Sequence, residues 1–202
     1  MSNQVGLSSK LSVKDLVTIG IFAAIYAVLT LLGGMVFACN PVLTFLMPLG
    51  CALLPGPVYL LLVAKVPKRG AIAIIGILVG IIMFVTGMYW GMALAFVILG
   101  IISDAIAGSG KYRNMRITIS SYVLFTLSTI ITYAVFFLDR DNYLDYMLKQ
   151  GTDPVYFETM VATARGWMLP AIIAGTIICA LISAWVGRNL FKKHFEKAGI
   201  AA

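Results

Sequence analysis

The sequence predicts an all-α integral membrane protein, a six-transmembrane-helix bundle, and three observations carry that expectation. Of the 202 residues, 61% are hydrophobic and 11% charged, whereas a soluble domain carries about 25% charged residues. The apolar residues gather into runs close to the roughly 20 residues that a helix needs to cross the hydrocarbon. Most of the basic residues fall in alternate connections between those runs. With a mean hydropathy of +0.99, too few polar groups remain to cover a water-facing surface, and a soluble protein is excluded. The length admits one domain, residues 1–202.

The first run, 16–38, is too long for a cleavable signal and no small-residue cleavage site follows it. The second, 43–64, contains Pro48, Pro55 and Pro57. Proline removes a backbone donor and bends a helix, so this span is expected to be kinked or interrupted. Apolar residues then continue from 70 to 107, too far for one crossing. Gly87-Met88-Tyr89-Trp90-Gly91 is the natural turn, dividing the run into spans 70–88 and 89–107 with aromatics at the interface. Two more spans follow, 117–138 and 167–187. Between them the outer connection, 139–166, has structure of its own. In Asp141–Leu148 apolar residues recur at helical spacing beside acidic ones, and Asp153-Pro154 forms an N-cap and first-turn pair. A functional lid and a solvated connector both fit this loop.

Six spans place twelve of the fifteen Lys and Arg residues on one side: Lys10, Lys14, Lys65, Lys68, Arg69, Lys111, Arg113, Arg116, Arg188, Lys192, Lys193 and Lys197. Arg140, Lys149 and Arg165 remain on the other, beside five acidic residues. By the positive-inside bias both termini are cytoplasmic. The basic excess is thus a topology signal, and no nucleic-acid surface is expected.

Chemistry is sparse. Asp104 is the acidic residue inside an apolar run, near the end of the fourth span. A structural role and a coupling role at the cytoplasmic face are both open to it. His194 sits in a polar tail, and Cys39, Cys51 and Cys179 have no paired spacing. No metal-ligand pair or catalytic dyad can be assembled, so no catalytic or metal residue is assigned. Gly108-Ser109-Gly110-Lys111 lacks the spacing of a phosphate loop and is expected to be a turn. Without carboxylates at depth there is no relay for proton or sodium coupling. Such a bundle binds something, or depends on a partner that supplies energy.

Small residues at four-residue spacing let helices approach closely in lipid. Gly20 with Ala24 and Ala23 with Ala27 do this in the first span; Gly76 with Gly80 in the third; Ala171, Gly175, Cys179, Ser183 and Gly187 in the sixth. Packing within the bundle and docking of a second membrane protein are both open uses. Toward the outer side lie Met35, Asn40, Thr44, Met47, Met88, Tyr89, Trp90, Tyr143 and Trp167. They suit either a small-molecule pocket, favouring a flat heterocycle, or an interfacial aromatic belt.

The opening Lys10-Leu11-Ser12-Val13-Lys14-Asp15-Leu16-Val17-Thr18-Ile19-Gly20-Ile21-Phe22-Ala23-Ala24-Ile25-Tyr26 and the Ser103-Asp104-Ala105-Ile106-Ala107-Gly108 stretch before a basic loop resemble an S component. These are the substrate-binding membrane subunits of energy-coupling factor (ECF) transporters, and the likeness is greatest to the bacterial Trep_Strep, or MptD-like, group. The resemblance implies capture of a vitamin-like micronutrient from outside the bacterial cell. It implies docking on a transmembrane coupling subunit powered by two cytoplasmic ATPases, so the chain itself is not an enzyme and holds no cofactor; ATP is bound by the partners. The family's Ala-x-x-x-Ala docking motif maps to Ala23 and Ala27, extended by Gly20 and Ala24, and the loop around Ala38-Cys39-Asn40-Pro41 helps close the pocket. A membrane scaffold or regulatory subunit that moves no solute is the alternative.

Overall fold

The computed structural model describes residues 10–197, with side chains as far as Leu190. The tail positions Lys192, Lys193, His194 and Lys197 therefore lie outside the described side chains. The described residues form eight helical segments and no strand: α1 Val13–Ala38, α2 Leu43–Lys65, α3 Ala71–Val85, α4 Trp90–Ser109, α5 Met115–Leu138, α6 Arg140–Lys149, α7 Pro154–Thr163 and α8 Met168–Lys197. Five of them, α1, α2, α4, α5 and α8, are long and apolar enough to cross a membrane. The expected third span is the exception, because α3 has 15 residues and a rise of 1.5 Å per residue makes it only about 22 Å long.

Local chemistry accounts for the boundaries. Ser12 opens α1 with a capping box: its Oγ accepts from Asp15 N, and its own N donates 2.7 Å to Asp15 Oδ2. Lys68 Nζ reaches the same carboxylate oxygen at 2.7 Å, tying the connection after α2 to the start of α1. The prolines interrupt α2 as expected. It begins as a 3-10 turn over Leu43–Leu46, continues as helix Met47–Leu53, breaks at Leu54-Pro55 and resumes at Gly56–Lys65. The turn between α3 and α4 falls at the expected place, with Gly87 at φ +84°. Asp153 accepts from Val155 N at 2.9 Å and opens α7 directly before Pro154.

Glycine decides how the helices meet. Gly33 of α1 and Gly50 of α2 touch backbone to backbone, so that a Cβ on either would strike the carbonyl of the other. Between α3 and α4, Gly76 packs on Gly100, and its Cβ would stand 2.5 Å from Phe96 O. The α8 stripe is also used inside the bundle. Gly175 faces Leu49, Ser183 Oγ accepts from Gly56 N at 3.0 Å, and Gly187 lies against Pro57 and Leu60. The break in α2 thus finds its lost hydrogen-bond partner, and its steric room, on α8.

Asp104 has a structural assignment. From α4 it accepts Gly70 N at 2.9 Å on Oδ2 and Ile72 N at 3.1 Å on Oδ1, capping α3 from a neighbouring helix. Tyr112 OH donates to Oδ2 at 3.2 Å. Burial, then the Asp104 charge, push the Tyr112 phenol up to about 12, so it keeps the proton it donates here at any physiological pH.

Three substitutions test this framework in detergent-solubilised protein. Gly33→Val should lower unfolding stability by about 1–3 kcal/mol through overpacking. Gly20→Val, whose Cβ would meet nothing within 4 Å, should not lower it. Asp104→Asn leaves one acceptor for two helix-terminal donors and should cost about 1–3 kcal/mol, read as a shifted thermal transition.

Candidate functional site

Where α1, α2, α5 and the α3–α4 turn converge, the helices leave a mostly enclosed cavity of about 30 Å³. Thr30 and Leu31 of α1 form one wall, with Met47, Pro48 and Cys51 of α2 facing them. Met83, Met88 and Met92 line it from the α3–α4 hairpin, and Thr129, Thr132 and Tyr133 from α5. The lining is sulfur and hydrocarbon with a few hydroxyls, and it contains no charge.

The hydroxyls are almost all engaged. Thr30 Oγ1 donates to Tyr26 O at 2.9 Å and Thr129 Oγ1 to Thr126 O at 2.9 Å, each one turn back along its own helix. Tyr133 OH donates to Thr44 O and lies 3.2 Å from Thr44 Oγ1. Thr132 Oγ1 is buried without a partner. A guest therefore meets an apolar box with one vacant hydrogen-bonding position.

The volume sets a second condition. Room for about two waters is far below the roughly 300–1,000 Å³ of small-molecule pockets, so a vitamin-sized guest enters only if the walls move. Four methionines make that feasible, since unbranched thioethers repack with little penalty.

Beside the cavity sits an aromatic cluster built by α6 and α7 on the end of α5. Tyr143 packs 5.6 Å from Tyr89, 5.7 Å from Phe136 and 6.1 Å from Phe157, between ring centroids. Tyr133 and Met47 belong to both the cavity wall and this cluster, so the two share one wall. Tyr156 OH fastens α7 to Ala38 O at the end of α1, 3.0 Å away. Burial raises the phenols of Tyr89, Tyr143 and Tyr156 above their ordinary range, and all three are neutral.

The outer residues expected to line a site divide into three groups. Met47 and Met88 are on the cavity wall. Thr44 stands behind it holding Tyr133, while Tyr89 and Tyr143 are buried in the aromatic cluster. The rest point elsewhere. Met35 and Trp167 are 59% and 67% exposed on the outside of the bundle. Trp90 stacks 5.4 Å from Tyr89 but is half-exposed. Asn40 uses its carbonyl on Val42 N and Leu43 N, at 2.8 and 3.2 Å, to open α2. The sequence reading missed Thr30, Cys51, Met83, Met92, Thr129, Thr132 and Tyr133. Hydroxyls inside apolar runs were the legible signal for Thr30, Thr129, Thr132 and Tyr133, whereas Cys51, Met83 and Met92 blend into their apolar runs.

The four small residues of α1 also separate. Ala23 and Ala27 are 1% and 2% exposed, inside this chain's own core. Gly20 and Ala24 turn outward, with open space around Gly20.

The sequence profile of Trep_Strep, described as a hypothetical bacterial integral membrane protein, matches residues 13–197. The chain belongs to the Trep_Strep family. No curated protein and no solved structure matches it. Membership in Trep_Strep agrees with the apolar helices described above and makes this a bacterial integral membrane protein.

Tyr143→Ala tests whether the aromatic cluster holds the outer helices in place. Loss of so buried an aromatic costs about 3–5 kcal/mol. Limited proteolysis should then cleave between α6 and α7 much faster than in the parent protein, with the membrane-embedded helices still intact.

Proposed function

We propose that this Trep_Strep chain is the substrate-binding S component of an ECF-type importer. It captures a neutral or weakly polar, vitamin-like heterocycle from outside. It then passes the substrate inward when docked on a transmembrane coupling subunit driven by two ATPases. The observation that carries the proposal is the uncharged, methionine-walled cavity beside a two-helix cover. Its likeness to S components over Lys10–Tyr26 and Ser103–Gly108 supports the same assignment.

Energy coupling from partners fits the electrostatics. Asp104, the buried carboxylate in the spans, has both oxygens on backbone donors of α3, which leaves it unsuited to carry a proton through the bundle. Six crossings and cytoplasmic termini complete the proposal. In it α3 crosses as the short sixth helix, with local thinning of the bilayer making up its length. The basic residues of the connections after α2 and α4 and before α1 then face the cytoplasm.

Docking falls on the outward face of α1 at Gly20 and Ala24, because Ala23 and Ala27 are already covered. The test compares two tryptophan substitutions. Ala24→Trp should reduce co-purification of the coupling subunit and ATPases by about tenfold, equivalent to roughly 1.4 kcal/mol, and abolish uptake while ligand binding and the fold persist. Ala23→Trp should instead destabilise the isolated chain. Native mass spectrometry of protein released from its own membrane provides the second check. A retained small molecule with co-released ATPases supports the importer; an empty chain whose Ala24→Trp variant behaves as the parent overturns it.

A further inference from the structure

At the end of the bundle where α1 begins, the last turns of α2 and the first turn of α5 border a groove of about 340 Å³. Leu60 and Val63 are its buried floor, Met115 its side, and Tyr112 and Arg113 its rim. The rim is formed by an unusual backbone. Lys111 and Tyr112 take φ values of 53° and 58°, in succession, a left-handed conformation that side chains other than glycine disfavour. Tyr112 N donates 3.0 Å to Ala107 O, and its hydroxyl donates to Asp104, so the strained reversal is pinned to α4. The chain leaves this reversal at Arg113, which is exposed at the groove mouth.

Charge at this end is unbalanced. Asp15 is paired with Lys68, and Asp104 is occupied by the backbone of α3. Among the described residues no carboxylate lies within ion-pair distance of Lys111, Arg113 or Arg116. An apolar trough along two membrane helices, ending in arginine where the second of them begins, has the two-part chemistry of a phospholipid. We propose that the groove binds one anionic phospholipid. Its acyl chain lies along Leu60, Val63 and Met115, and its headgroup phosphate is held by the Arg113 guanidinium, whose planar fork suits phosphate oxygens. This site is separate from the methionine-walled cavity and does not depend on what that cavity carries.

Delipidated full-length protein, titrated with dioleoyl-phosphatidylglycerol or dioleoyl-phosphatidylcholine and read by native mass spectrometry, tests the assignment. The anionic lipid should be retained in a single preferred adduct at least about tenfold more strongly, and less so as salt rises. Arg113→Gln should weaken that adduct about fivefold, the contribution of one basic residue near an anionic surface, and weaken phosphatidylcholine, whose choline offsets its phosphate charge, by less. Ala64→Phe, an exposed position on the groove wall, should displace the lipid by filling the trough. Equal retention of both lipids, or an Arg113→Gln protein indistinguishable from the parent, overturns the proposal. So does loss of a co-purified protein in either variant with lipid retention intact, which would make the groove a protein-docking surface.

Discussion

The contact on which the bundle depends is the meeting of two backbones at Gly33 and Gly50. In lipid, a leucine gains nothing by leaving hydrocarbon for a neighbouring helix, so helices associate through close approach and polar contacts. The Gly33–Gly50 crossing brings α1 and α2 into backbone contact. It also locates the cavity, because Gly34 on the next position faces Cys51 and Met47, and Thr30 lies one turn away. The cavity lies beside this crossing, between Thr30 and Leu31 of α1 and Met47, Pro48 and Cys51 of α2.

Polar contacts complete what glycine begins. Tyr59 OH and Ser121 Oγ are 2.6 Å apart, Ser121 donates onward to Ser103 O at 2.7 Å, and Tyr122 donates to Ala52 O at 2.6 Å. These bonds join α2, α4 and α5 through the middle of the bundle without any charge. The ion pair at Lys68 and the Asp104 cap lie near the helix ends instead. The chain keeps ionic contacts near water and neutral hydroxyls at depth, as the cost of charge in hydrocarbon requires.

Much of the fold was legible because it follows from one-dimensional rules. Run length marked the long helices, three prolines marked the break in α2, and Gly87 marked the hairpin turn. The short length of α3 was hidden, since Thr86 and Met88 continue the apolar run and only the three-dimensional turn removes them from the helix. The site was harder to see. Periodicity does not tell which of two overlapping small-residue pairs faces inward, so Ala23 and Gly20 looked equivalent until the packing of Tyr26 and Ile19 in the core settled the face of α1. Met35 and Trp167 share the composition of a pocket, yet composition carries no direction. The cavity instead collected methionines from four different segments, a convergence that no local window contains.

A wall of thioethers also has a chemical vulnerability. Methionine is oxidised to a sulfoxide, which is polar, chiral and strongly hydrogen-bond accepting. Met47, Met83, Met88 and Met92 surround one small space, and a single added oxygen there would occupy much of the free volume and put a dipole beside the unpartnered Thr132 hydroxyl. The unbranched, polarisable side chains that repack easily thus also make the cavity sensitive to oxidation. Sulfoxide formation at any one of the four would therefore disturb the packing of every helix that meets at this cavity.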